Sequence, residues 1–92
     1  MNQNIIFSDN EYYNDQLQQV EFQAQCQGHL IRCIISWKVL KKLNEQSNTP
    51  IKANEQLALV LFDSVRFEIE DIAEELINQQ AFNAHGEILI TP

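Results

Sequence analysis

The chain has 92 residues, 45% of them hydrophobic and 21% charged, which makes one ordinary globular domain over residues 1–92 with no room for a second core. Thirteen acids against six Lys and Arg leave a net charge of −7, and that argues against nucleic acid, because phosphate binding draws its strength from Lys and Arg. The longest unbroken apolar run, Leu57–Phe62, falls far short of the ~20 residues a membrane span needs, and no basic segment precedes a long apolar stretch near Met1, so the expected setting is the cytoplasm, where a disulfide is not expected.

In chain order, Asn4–Phe7 reads as a short strand, and Ser8–Gln16 as a polar loop carrying Tyr12 and Tyr13. Val20, Phe22, Ala24 and Cys26 then alternate strictly with Glu21, Gln23, Gln25 and Gln27, the period of a strand with one buried and one wet face. After Gly28 the chain continues β-branched and apolar from His29 to Ile35. A two-residue turn at Gln27-Gly28 pairs Cys26 with His29, Ala24 with Ile31, Phe22 with Cys33 and Val20 with Ile35. A register shifted by one would bury Arg32 opposite Phe22, so the first register is preferred. Gln is a weak first residue for such a turn.

Ser36 suits the cap of a helix running through Leu43, with Trp37, Leu40 and Leu43 along one side and Lys38, Lys41 and Lys42 largely on the other. Ser47–Pro50 breaks the chain, and Pro50 suits the first turn of the next helix. Residues 54–80 carry the strongest helical signal: Ala58, Phe62, Val65, Ile69, Ile72, Ala73, Leu76 and Ile77 lie on one arc, flanked by acids. One straight helix of that length would span ~40 Å, which favours a break near Asp63-Ser64. Asn83–Gly86 reads as a turn and 87–91 as a closing strand. The expected fold is α+β: a small antiparallel sheet, made of the hairpin 19–35 plus terminal strands, with two or three helices packed on one face.

Cys26, His29 and Cys33 raise the question of chemistry. In the preferred register Cys33 lies ~13 Å along the strand from the Cys26–His29 rung, beyond the about 7 Å a disulfide allows. Zinc needs four ligands in close pairs, and only two Cys and two His exist. No recognisable third group orients His29, and the glycines fall in expected turns, which leaves little backbone for an oxyanion hole. Buried cysteines acting as small apolar residues are the better reading. The acids of 68–75 spread over both flanks of the helix and read as a solvated face. Arg66 borders the apolar arc with Asp63 three residues back and Glu70 four ahead, the spacing of a structural ion pair or of an anchor for a partner.

Val60 and Phe67 fall one above the other on a continuous helix, opposite the Ile69–Leu76 stripe. Burial beneath helix 36–43 is the first expectation for them. A break that reorients the helix is the second, and cover by another chain the third.

The segments "VEFQAQCQGHLIRCIIS", "LFDSVRFEIEDIAEELI" and "HGEILIT" together resemble the small bacterial family catalogued as domain of unknown function 1488. Its helix pattern falls here on Phe62, Arg66, Ile69 and Ala73, and its front-loop aromatic–Asp pair on Tyr13 and Asp15, with Asn14 between them. The resemblance covers nearly the whole chain, rests on apolar spacings, and implies an α+β fold and no activity.

The functional expectation is a small acidic cytoplasmic module that is not an enzyme. It needs no cofactor or metal, and works through contact with a protein partner or a second copy of itself. Phe67, Val60, Trp37 and Arg66 are the expected contact residues. The alternatives are a ligand-binding or enzymatic role centred on Cys26 and His29, and a nucleic-acid accessory role for the helix carrying Trp37, Lys38, Lys41 and Lys42, where an aromatic beside lysines can stack a base.

Overall fold

The computed structural model describes residues 4–45, 50 and 52–91, arranged as a five-stranded sheet with three helices. The central hairpin is β3 (Gln19–Cys26) and β4 (His29–Ser36), antiparallel, with Cys26 opposite His29, Phe22 opposite Cys33 and Val20 opposite Ile35. The register anticipated from the alternation is the one found. Gln27 and Gly28 both take positive φ, 53° and 82°, the signature of a type I′ turn matched to the twist of the flanking strands.

Two short strands share the free side of β3. β1 (Ile5–Phe7) pairs with its Cys26 end, and β2 (Tyr12–Asn14) with its Gln19 end. The second of these replaces the polar loop expected over 8–16. Tyr13 is the reason: it is buried, and its hydroxyl donates to the Ala53 carbonyl at 3.0 Å. Gln18 closes that arrangement. Its side-chain amide donates to the Tyr13 Oη at 2.7 Å and accepts from the Ala53 N–H at 2.7 Å, and its own carbonyl accepts from the Trp37 N–H at 2.8 Å.

Helix α1 (Trp37–Asn44) begins at its expected cap, the Ser36 hydroxyl accepting from the Val39 N–H. Helix α2 (Glu55–Ser64) is capped by Asn54, whose side chain accepts from the Leu57 N–H. Pro50 therefore lies ahead of the helix rather than in its first turn. Residues 47–49 of the expected break lie outside the described residues. The long apolar arc is divided at Val65, one residue beyond the expected point, and α3 (Arg66–Asn78) continues from there. β5 (Ile88–Leu89) then adds to β4 in parallel, the one departure from an otherwise antiparallel sheet. Three helices intervene between β4 and β5, as a parallel pairing requires of its crossover.

The core lies between the inner sheet face (Val20, Phe22, Ala24, Ile31, Cys33, Ile35) and the arc Ala58, Phe62, Ile69, Ala73, Ile77, all buried. Phe7, Phe22 and Phe62 form a column with ring centroids 6.2 and 5.2 Å apart, tying the β1 edge to α2.

Candidate functional site

The expected contact residues separate into two kinds. Val60 and Phe67, either side of the Val65 elbow, are 57% and 79% exposed. Burial beneath α1 does not occur, and the break between α2 and α3 does not hide them. Trp37 is different: it is 4% exposed, its indole N–H donates to the Pro50 carbonyl at 3.0 Å, and Lys41 sits 5.7 Å over its ring. It presents no face to a partner or to a nucleic-acid base.

Arg66 is also committed internally. Its guanidinium lies 5.1 Å over the Phe62 ring and binds both oxygens of Glu11, with Asp63 at 3.1 Å and Asp9 at 3.7 Å. The hydrogen bond from Arg66 holds the Glu11 carboxyl below its ordinary range, and the same bond raises Arg66. Asp63 was legible from its spacing. Glu11, fifty-five positions away, was not, and Glu70 is pushed up by burial rather than bonded to the arginine.

Cys26 and His29 face each other on the rung beside the turn and line a shallow cleft of about 260 Å³ with Ile31, Ile77 and Phe82. Cys26 is 8% exposed. Burial pushes the Cys33 thiol up to about 12, and its Sγ–H points at the Ile31 carbonyl. That keeps Cys33 protonated and unreactive at neutral pH. Among the described residues no group of three or more His, Cys, Asp or Glu is placed to hold a metal ion, and no helix is long and apolar enough to cross a membrane.

The feature that sequence reasoning missed is the outer face of the sheet. Its residues stand in rungs. Tyr12, Glu21, Ile34 and Leu89 form one, Gln23 and Arg32 the next, and Ile6, Gln25 and Leu30 the third. Ile6 (62% exposed), Tyr12 (59%), Leu30 (68%) and Leu89 (48%) are half of the large apolar side chains exposed among the described residues, and they share this one surface. At its centre Arg32 bridges Glu21 and Glu87, the latter at 2.9 Å. Burial would raise Glu21, but hydrogen bonds from Gln19, Arg32 and Asn14 outweigh it and hold the carboxyl low. The sequence did carry a signal for this face. β4 and the closing strand are apolar at consecutive positions (Leu30-Ile31, Ile34-Ile35, Ile88-Leu89-Ile90), the mark of a strand covered on both sides rather than one.

A family model described as "Protein of unknown function (DUF1488)" matches residues 5–90. The crystal structure of a protein of unknown function from that family, from Shewanella loihica PV-4, is 42% identical to this chain. It matches with a TM-score of 0.85, over 98% of this chain and 94% of that one. The search of curated proteins returned no match.

Proposed function

The chain belongs to the DUF1488 family of proteins of unknown function, and from that premise we propose that it is a non-catalytic protein-contact module, small, acidic and cytoplasmic. The observation that carries this reading is the outer sheet face, where Ile6, Tyr12, Leu30 and Leu89 stand exposed on neighbouring strands around a neutralised Arg32. Scattered apolar side chains are normal on a protein surface, whereas a group gathered on one flat face marks a place where another surface rests. Tyrosine and arginine, the pair represented here by Tyr12 and Arg32, are both enriched at interface centres. Phe67 and Val60 at the elbow offer a second, smaller contact.

Photo-crosslinking in cells tests the reading, with the reactive group placed in turn at Leu30, at Phe67 and at Glu74, an exposed acid on the far side of α3. Adducts with protein at Leu30 or Phe67, and none at Glu74, are expected. Labelling no greater at the apolar positions than at Glu74 overturns the proposal.

A further inference from the structure

We infer that the outer sheet face docks on the same face of a second copy of this chain. This inference rests on the protein-contact reading and names its partner. Charge selects the face on which a second copy can rest. The molecule carries a net −7, and α3 presents Glu68, Asp71, Glu74 and Glu75 to solvent on the helical layer. The strand positions of the outer face, by contrast, carry only Glu21 and Arg32 as charged side chains, with Glu87 at its margin closing the Arg32 bridge. A second acidic copy is repelled at the helices and admitted at the sheet.

The face is also self-complementary. A two-fold axis parallel to the strands, between β3 and β4, keeps each rung over the same rung and exchanges the columns. Tyr12 of one copy then lies over Leu89 of the other, and Arg32 over Gln23, next to the Glu21 of the second copy. Tyr12 and Leu89 meet as an apolar pair at both ends of their rung, Leu30 lies over Gln25, and each arginine gains a carboxylate across the interface without losing its own. This is the isologous contact that closed dimers use, with the sheets stacked ~10 Å apart and their mean strand directions aligned.

Size fixes the strength. The two central columns are eight residues long, the outer ones six and two, which at ~4.8 Å between columns and ~3.3 Å per residue present roughly 400 Å² in projection. Two such faces come to about 800 Å², short of the roughly 1,000 Å² of stable specific interfaces. A weak, transient dimer is therefore expected, dissociating on the order of 100 μM.

Sedimentation equilibrium of the purified chain, from about 1 to 300 μM, tests this. The weight-average mass of the wild type should climb from 10.7 kDa towards twice that value. Leu30→Glu and Tyr12→Glu should each weaken the dimer at least about tenfold, because each places a like charge in the contact. Gln56→Glu, which adds the same charge at an exposed position of α2, should leave it unchanged. Both sheet positions are exposed, and circular dichroism confirms that the variants fold. A wild type that stays monomeric throughout, or a dimer indifferent to both sheet variants, overturns the inference. Crosslinks at Leu30 to a different protein would leave the contact module standing while removing the second copy.

Discussion

Gln27 holds a left-handed backbone, φ 53°, at the first turn position of the hairpin, where an L-residue with a Cβ pays a steric cost that Asn tolerates better. Gln27→Asn should therefore stabilise the protein by about 0.5–1 kcal/mol, read as a thermal midpoint higher by a few degrees; an unchanged or lower midpoint would refute it. Gln18 has nearly the same φ, 52°, yet the same change there should be harmful. Its longer side chain reaches Tyr13 and Ala53 at once, and Asn is one methylene too short to do both. The two glutamines look alike in sequence. Only the distant segment that meets Gln18 tells them apart, so β2 could not be read from its own three residues: Tyr13 is fixed by Ala53, forty positions on.

At the level of elements, the join between the β1–β2 loop and the α2–α3 elbow is made by Arg66, through the half-buried Glu11 and the exposed Asp9. Glu11 and Arg66 have side chains only 16% and 17% exposed, so water screens them little, and loss of Glu11 leaves Arg66 with only the exposed Asp63 and Asp9. Glu11→Gln should cost about 1–3 kcal/mol at pH 7. The carboxyl is held below its usual value of 4.5 by the hydrogen bond from Arg66, so its contribution is complete above that pH. It is lost as the pH falls through the lowered folded value. Denaturation curves of wild type and Glu11→Gln at pH 7 and at pH 3 check this: the gap between them should shrink in acid, and a constant gap would exclude the linkage. The hairpin, the α1 cap and the helical arc were legible because their patterns are local and periodic. The outer sheet face was signalled only by the consecutive apolar positions of β4 and the closing strand, because β3 alone, with Glu21, Gln23 and Gln25, reads as a wet strand. The apolar residues reach that face from β1, β2, β4 and β5.

For the molecule as a whole, the sign of its charge sets how it meets others. Two copies each carrying −7 repel at long range, and salt screens that repulsion over about 8 Å at physiological strength. The dimer should therefore tighten as ionic strength rises from about 10 to 150 mM, whereas binding to a polyanion would weaken steeply over the same range. Sedimentation at the two salt concentrations decides between these signs. The sheet's margins behave differently from its face. One margin is divided into β1 and β2, three residues each, with Ser8–Glu11 between them held to the elbow by Arg66, and the other is β5, two residues long. Fibril growth needs six or seven consecutive residues free to pair, and neither margin offers them; a chain so rich in β-branched strand is thereby kept from seeding amyloid at its rims.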